Sequence, residues 1–295
     1  MEIVTEKDQS LEYETNSLPR KVFNFFFVPI LNRLPAGSDK FIKKSHKSVN
    51  EVVENVTTHY ALEVLYNKGY PKHSSSIIRK VMRSIWFNTD NSKSVRNRLL
   101  LVKRELRRSM DILTADGKDI SILSIASGSA RAVIESINEL TPVAGQKISA
   151  VFLDKNPHAL EYSKQLAQEY SLINRKDFSL SWINGTAETF LNSLKQNEFN
   201  VIEMVGLLDY FNDAKAVSVF SRVHHILDAS GLFITANICD NSERVFMTRT
   251  IQWNMIYRSA EDLGNLLKKA GFSDGEIRLY YEPLHVHVVA AVTKK

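Results

Sequence analysis

The chain has 295 residues, of which 38 are Lys or Arg and 33 are Asp or Glu, so its formal net charge is +5. A composition that is 44% hydrophobic and 24% charged is typical of a globular protein and excludes the disordered, collagen-like and coiled-coil classes. The single cysteine, Cys239, excludes an intramolecular disulfide and an all-cysteine zinc site. We expect a cytoplasmic protein, because the acidic, polar N-terminus does not resemble a secretory signal.

The sequence of the N-terminal region predicts an irregular or weakly helical segment followed by helices. Its first 48 residues contain three prolines and are expected to be irregular or weakly helical. Their most apolar stretch, Val22–Leu31, is too short to cross about 30 Å of hydrocarbon. We expect it to pack on the core or line a pocket, with a membrane surface as the alternative. Apolar residues at helical spacing then predict three helices, at Ser48–Tyr66, Ser74–Phe87 and Asn91–Leu113.

The basic excess belongs to the N-terminal part of the chain. Residues 1–120 carry 21 basic and 14 acidic side chains, whereas residues 121–295 carry 17 and 19. Seven cations are concentrated on the third predicted helix, namely Lys93, Arg96, Arg98, Lys103, Arg104, Arg107 and Arg108. Such a cluster could neutralise phosphates, so a nucleic-acid partner is an alternative. The helix also has an apolar face, formed by Leu99, Leu100, Val102, Leu106 and Met110, which predicts that most of the cations face solvent.

After Gly117 short apolar runs alternate with helical segments, which is typical of a parallel sheet covered by helices on both faces. The predicted strands are Ile120–Ile125, Ile148–Leu153, Phe178–Ile183, Val201–Val205, Leu232–Ala236, Ile277–Tyr281 and Val286–Val292. The predicted helices between them are Arg131–Leu140, Pro157–Tyr170, Ala214–Leu227 and Ser259–Ala270. The last two strands should be antiparallel, because a parallel crossover needs a dozen residues or more. We expect an α/β fold, with a helical cap region at residues 1–117 and an α/β domain at residues 118–295.

The residues that follow the strands are candidates for a binding site, because ligands bind at the carboxyl edge of an open α/β sheet. The small residues 126–130 lead into a helix N-terminus, which favours a carboxylate or phosphate. Asp154 follows the second strand, where a carboxylate can accept both hydroxyls of a ribose. The turn Gly185–Glu188 follows the third strand and suits a flat base. Each feature alone also fits ordinary packing or helix capping, but their order and spacing favour one shared site.

This pattern resembles the class I S-adenosylmethionine-dependent methyltransferases over residues 118–295. Ile122–Arg131 (ILSIASGSAR) resembles the glycine-rich first motif of that family, Val151–Asp154 the acidic end of its second strand, and Gly185–Glu188 its adenine-side turn. His225–Leu232 resembles the turn before its fifth strand. The resemblance implies a doubly wound, seven-stranded Rossmann-like sheet with an antiparallel last strand, and S-adenosyl-L-methionine as the cofactor.

The resemblance also implies which residues contact the cofactor. They are Ala126, Ser127, Gly128, Ser129, Asp154, Lys155, Gly185, Thr186, Ala187, Val205, Gly206 and Leu207. The sequence departs from the family at Ser124, where most members have an acid, and at Ala126 and Ala130, which replace glycines. Thr186 replaces the usual Asp. These departures concern the expected contacts with the amino group and the adenine, and not the expected fold.

A narrower resemblance covers residues 206–272. The blocks GLLDYF (206–211), ANICDNSERVFM (236–247) and WNMIYRSAEDL (253–263) resemble bacterial methyltransferases associated with making 3-hydroxypalmitic acid methyl ester. This resemblance implies a small-molecule acceptor whose oxygen is methylated. The acceptor would be the carboxylate or hydroxyl of a hydroxy fatty acid, or another secondary metabolite.

Candidate acceptor-binding residues follow the fourth and fifth strands, where an acceptor oxygen needs a positive or hydrogen-bonding anchor. The candidate catalytic residues are Tyr210, Tyr257 and Arg258. The candidate substrate-binding residues are Asp209, Asn237 and Trp253. In the alternative interpretation Tyr257 is a packed aromatic, Arg258 pairs with Glu261 or Asp262, and Asn237 closes a turn.

The histidines do not predict a metal site. His224 and His225 lie on a predicted helix, and His285 and His287 alternate along the last strand, so we expect packing or surface positions for all four. His59 could reach a pocket. Cys239 should line or border the acceptor region.

Two other classes of function remain as alternatives. The basic helix fits a nucleic-acid methyltransferase, although no Asn/Asp-Pro-Pro-Tyr/Phe element follows the fourth strand. The degraded first motif fits a cofactor-binding protein without catalysis. We expect a small-molecule acceptor as the partner, and a homodimer as one assembly that the chain could form.

Overall fold

The computed structural model describes residues 1–35, 38, 50–51, 58–68 and 84–295. Most of the predicted helix Ser74–Phe87, and the start of Ser48–Tyr66, lie outside these described residues. The helices are α1 Leu18–Asn32, α2 His59–Tyr66, α3 Asp90–Ala115, α4 Arg131–Asn138, α5 Pro157–Glu169, α6 Ala187–Ser193, α7 Asp213–Ile226 and α8 Ala260–Lys269. The strands are β1 Glu2–Thr5, β2 Ile120–Ile125, β3 Ile148–Asp154, β4 Phe178–Asn184, β5 Phe199–Met204, β6 Leu227–Ile238, β7 Ile277–Tyr281 and β8 His287–Thr293.

The strands form one twisted sheet in the order β1-β7-β8-β6-β5-β2-β3-β4. Strands β4, β3, β2, β5 and β6 are parallel, and β8 runs antiparallel to both β6 and β7. The predicted α/β fold and the antiparallel last strand are therefore confirmed. The carboxyl ends of the five parallel strands meet at one edge of the sheet, where the predicted binding residues lie.

The sheet contains one strand more than the seven that we predicted. The chain begins with β1, which pairs in parallel with β7 from Glu2 opposite Arg278 to Thr5 opposite Tyr281. We expected irregular or weakly helical structure here, because four residues with only two large apolar side chains carry little strand signal. The prediction was wrong, since the unpaired edge of β7 supplies the hydrogen bonds that organise β1.

Helix α3 is part of the layer that covers the sheet. Its residues Leu101, Val102 and Leu106 are almost fully buried and share an apolar cluster with strand residues such as Ile122 and Val289. Helices α7 and α8 cover the opposite face. The region before residue 118 thus supplies a strand of the sheet and a helix that covers it. The division into a cap region at residues 1–117 and an α/β domain at residues 118–295 stays a prediction.

Helix α1 does not bury its apolar side chains as we expected for Val22–Leu31. Val28 is buried, but Phe25 and Phe26 are 74% and 67% exposed. Of the helices in the described ranges, none has the length and hydrophobicity needed to cross a membrane.

The two central strands are joined by a buried polar pair. Ser124 on β2 lies directly opposite Glu203 on β5, and its hydroxyl donates to the carboxylate over 2.6 Å. Burial raises the pKa of Glu203 to about 7, against the opposing effect of the Ser124 hydrogen bond. The sheet centre therefore holds a carboxyl group that takes up a proton near neutral pH.

This pair predicts a pH dependence of stability. Because the pKa of Glu203 is raised on folding, the folded protein holds a proton that the unfolded chain has lost between about pH 4.5 and pH 7. The stability associated with Glu203 is present below this window and is lost as pH rises through it, by about 3 kcal/mol. Denaturant titrations at pH 5 and pH 8 should show a smaller decline for Glu203→Gln than for the wild type. The exposed Glu198→Gln is the control, and an identical decline in all three proteins would contradict the prediction.

Candidate functional site

The loop after β2 has the backbone geometry of a glycine-rich turn although it contains one glycine. Ala126, Gly128 and Ala130 have φ angles of 52°, 54° and 51°. A non-glycine residue in this left-handed region costs roughly 1–2 kcal/mol. The two alanines that replace glycines thus keep the left-handed conformation at the expense of strain.

Asp154 at the end of β3 fixes this loop. One carboxylate oxygen accepts a hydrogen bond from the Gly128 amide over 2.8 Å, and the other accepts from the Asn156 amide, also over 2.8 Å. The Asp154 carbonyl accepts from the amide of Gly185, which follows β4. The ends of β2, β3 and β4 are therefore tied together through one residue, and the Asp154 side chain is 9% exposed.

A cavity of about 740 Å³ opens at this edge of the sheet. Most of the predicted site residues line it, namely Ala126, Gly128, Asp154, Lys155, Gly185, Thr186, Ala187, Val205, Gly206, Leu207, Asp209, Tyr210 and Trp253. Its other walls are largely apolar and include Leu62, Leu65, Trp86, Phe246 and Met247. The cavity thus joins a polar edge to an apolar compartment. Among the described residues no cluster of His, Cys, Asp or Glu could hold a metal ion.

Helix α2 forms the lid over the polar edge. A Cβ atom on Gly128 would lie 3.3 Å from the Cβ of His59, so the loop and the lid are in close contact. His59 lines the cavity, as the sequence suggested it could, and burial lowers its pKa against the opposing effect of Asp154 and Glu63. Its Nδ1 has no hydrogen-bond partner among the described residues.

A buried ion pair attaches this lid to the domain. Glu63 on α2 is 1% exposed and accepts from Arg131 Nε over 3.0 Å and from the hydroxyl of Tyr162 over 2.9 Å. Arg131 also donates to Glu135 one helical turn further on. Since Arg131 opens α4 directly after the loop, the lid and the loop have a common anchor.

The end of β5 forms the opposite wall. The Tyr210 hydroxyl accepts a hydrogen bond from Trp253 Nε1 over 2.8 Å, and burial raises the pKa of Tyr210. Asp209 is buried, one of its carboxylate oxygens accepts from the Ile238 amide over 2.8 Å, and burial raises its pKa as well. The Tyr210 phenol therefore keeps a proton that it can donate to a ligand.

The structure corrects the prediction for Arg258 and Asn237. Arg258 is 4% exposed and does not line the cavity, because its guanidinium donates to Asp213 and to the carbonyls of Leu208 and Phe211. It also donates to Asn237 Oδ1, while Asn237 Nδ2 donates to backbone carbonyls. Both residues hold the cavity wall together from behind and have no free surface toward an acceptor.

Three further predicted residues lie outside the cavity wall. The ring of Tyr257 packs under the guanidinium of Arg244, 4.5 Å from its centre, as the alternative interpretation had it. Ser127 and Ser129 belong to the loop after β2 but do not line the cavity. Cys239 follows the lining residue Ile238, and burial raises the pKa of its thiol to about 12, so it stays protonated.

The sequence placed the cations of α3 in solvent, and this prediction was wrong for several of them. Lys93, Arg96 and Arg98 are 7%, 7% and 3% exposed. Arg96 pairs with Glu14, and the partly buried Arg104 pairs with Glu6. Val95, Leu101 and Val102 form a second apolar stripe on α3, and position 98 lies on this stripe. The stripe is the sequence signal that could have predicted the burial of Arg98.

Arg98 and His287 are among the lining residues that the sequence analysis did not assign to the site. Arg98 reaches the cavity from α3, and His287 at the start of β8 reaches it from the sheet. The His287 ring is hydrogen-bonded to the Ser94 hydroxyl, and burial lowers its pKa well below the ordinary value. We had assigned His287 to packing or the surface, because strand alternation does not show which positions end at a cavity.

Comparisons with known proteins bear on the family and the fold of the chain. A model of the family described as "Putative methyltransferase" matches residues 61–288. No curated protein matches the chain. A Bordetella parapertussis protein described as a possible exported protein has a TM-score of 0.64 at 16% identity, over 84% of this chain and 86% of that chain.

Two solved methyltransferases share the fold at similarly low sequence identity. The CurJ carbon methyltransferase has a TM-score of 0.55 at 12% identity, over 83% of this chain and 66% of its own. The magnesium protoporphyrin IX methyltransferase from Synechocystis, solved with bound SAH, has a TM-score of 0.50 at 13% identity, over 84% of this chain and 100% of its own. At these identities the likeness shows the fold alone.

The lid anchor can be tested by removing its buried charge. Glu63→Gln leaves the Arg131 guanidinium with the more exposed Glu135 only, so we expect a loss of about 3 kcal/mol in the free energy of unfolding. Limited proteolysis should cut the lid faster in this variant. Glu135→Gln is the matched control, because Glu135 contacts the same arginine and Lys103 from a position that is 16% exposed, compared with 2% for Glu63, and should cost less. Equal losses in the two variants would contradict a special role for Glu63.

Proposed function

Because the chain belongs to the methyltransferase family whose model matches residues 61–288, we propose that it transfers a methyl group from S-adenosylmethionine to an oxygen of a small-molecule acceptor. The observation that carries this proposal is the single cavity that joins the polar edge of the sheet to an apolar compartment. The polar edge suits a nucleoside, and the apolar compartment suits the body of an acceptor.

The residues at the polar edge fit the proposed cofactor. Asp154 and His59 both line the cavity, and the Asp154 carboxylate accepts hydrogen bonds there, so this edge suits ribose hydroxyls. Gly128 lets His59 of the lid approach the loop because it has no Cβ, and the left-handed turn from Ala126 to Ala130 is kept despite its strain. When bound, the cofactor supplies a methyl group on a sulfonium, which is already an activated leaving group.

The remaining cofactor assignments follow the order of the strands. The turn Gly185 to Ala187 would contact the adenine side, and Thr186 also caps α6. Lys155, Val205, Gly206 and Leu207 complete the wall on this side. The loop after β2 would hold the methionine part.

At the other end the protein must orient an acceptor oxygen and exclude water. Tyr210 is our candidate for this role, because its protonated hydroxyl is fixed by Trp253 and lines the cavity. A carboxylate acceptor needs no general base at neutral pH, whereas an alcohol would profit from one. The apolar compartment and the narrower sequence resemblance favour a hydroxy fatty acid or a similar secondary metabolite.

The nucleic-acid alternative loses its main support. Lys103 pairs with Glu135, Arg104 with Glu6 and Glu105, and Arg107 with Glu139. Cations that are already neutralised by carboxylates contribute little to phosphate binding. We therefore favour the small-molecule acceptor.

A direct assay tests the proposal. The full chain is incubated with methyl-labelled S-adenosylmethionine and 3-hydroxy fatty acids, with phenolic acids as a second acceptor set, and transfer of label is measured. Transfer to either set supports the reaction. Calorimetric binding of S-adenosylmethionine without transfer would support the non-catalytic alternative, and absence of binding at millimolar cofactor would contradict the proposal.

The ribose assignment predicts the effect of Asp154→Ala. We expect cofactor affinity to fall by more than about tenfold, because the two ribose hydroxyls of the cofactor lose a charged acceptor. The Gly128 and Asn156 amides lose the same acceptor. Isothermal calorimetry with S-adenosylhomocysteine measures the change. Asp177→Ala is the control, since this carboxylate lies just before β4 at the opposite end of the sheet. An unchanged affinity of Asp154→Ala would refute the assignment.

A further inference from the structure

Arg98 is a buried cation at the cavity wall that forms no ion pair with a carboxylate of the described residues. Its side chain is 3% exposed and lines the cavity. Other cations of α3 pair with carboxylates, as Arg96 does with Glu14. Among the described residues no carboxylate forms an ion pair with Arg98, and its Nε has no hydrogen-bond partner. A guanidinium stays charged at any ordinary pH, so burial in this state is costly without an anion.

The groups around Arg98 are occupied elsewhere. Glu203 and Asp209 are near enough for Arg98 to act on them electrostatically, but Glu203 accepts from Ser124 and Asp209 from the Ile238 amide. His287 lies on the same wall and is hydrogen-bonded to Ser94. The phenol of Tyr66 also lies beside the guanidinium and cannot neutralise it at neutral pH. The surroundings thus offer partial compensation and no bidentate anion.

We propose that Arg98 is the carboxylate-binding residue of the cavity. The planar fork of a guanidinium matches the two oxygens of a carboxylate, and the apolar side chains nearby strengthen such a pair by excluding water. This inference rests on the proposed function, which brings two carboxylates within reach. One is the α-carboxylate of the cofactor's methionine, and the other is the carboxylate of an acidic acceptor with an apolar body.

The test compares ligands that differ only in the carboxylate. Calorimetry measures the affinity for S-adenosylhomocysteine and for its decarboxylated analogue, and separately for decanoate and decan-1-ol. We expect the wild type to prefer the carboxylate ligand of at least one pair by about tenfold or more. In Arg98→Gln this preference should fall to near unity, while the affinity for the uncharged ligand stays unchanged. If Arg98→Gln loses the preference in the first pair, the carboxylate that Arg98 binds is that of the cofactor. If it loses the preference in the second pair, the carboxylate is that of the acceptor.

Controls separate binding from a structural role. Arg107→Gln removes a cation of the same helix that pairs with Glu139 outside the cavity, and it should keep the preferences of the wild type. Arg98→Lys keeps the positive charge but lacks the planar guanidinium, so its preference for the carboxylate ligand should be intermediate. This variant replaces Arg98→Gln in the test if Arg98→Gln does not fold. If Arg98 only compensates Glu203 and Asp209, its replacement lowers stability and leaves the preferences intact, which overturns the proposal.

The wild-type measurements alone can also overturn it. A folded wild type that prefers neither carboxylate ligand has no carboxylate-binding residue at this position. If the wild type fails to bind S-adenosylhomocysteine, the proposed function fails, but the decanoate pair still decides the role of Arg98. The two failures are thereby distinguished.

Discussion

The burial of a strongly basic helix is the constraint on which the rest of this structure depends. Helix α3 packs against the sheet along Leu101, Val102 and Leu106, and this packing carries several of its cations into the protein. Burying a charge is costly unless the charge is paired and hydrogen-bonded. The N-terminal segment supplies Glu14 for Arg96 and Glu6 for Arg104, so its path is fixed by the charges of the helix. Strand β1 reaches the sheet edge directly before Glu6.

Much of the fold could be predicted from the sequence because the alternation of strands and helices is set by residues that are close together in the chain. Short apolar runs, helical periodicity and the brief connection before Val286 depend on neighbouring residues only, and they predicted the strands and the antiparallel end. The carboxyl-edge rule then placed Asp154 and Gly185 at one site. These inferences did not require knowledge of any distant contact.

What could not be predicted depends on pairing between distant residues. Arg258 has a position in the sequence that suits an acceptor anchor, but Asp213 and nearby carbonyls engage its guanidinium. Arg98 was assigned to solvent because two apolar stripes compete on α3, and only the packing against the sheet selects one. The departures from the glycine-rich motif likewise concealed a left-handed turn, since Ala126 and Ala130 adopt the left-handed conformation that glycine adopts freely. The acid missing at Ser124 is matched by a carboxyl group on the neighbouring strand, at Glu203.

The pairing of β1 with β7 has a consequence for the order in which the protein is made. Glu2 lies opposite Arg278, so during synthesis β1 waits for a partner strand that follows it only after all the other strands except β8. Contacts between such distant residues close large loops and form late in folding. Until they form, the segment that carries Glu6 lacks its hydrogen bond to the sheet edge, where the Glu6 amide donates to the Tyr281 carbonyl. The anchoring of the segment that pairs with α3 is therefore completed only after β7 has been synthesised.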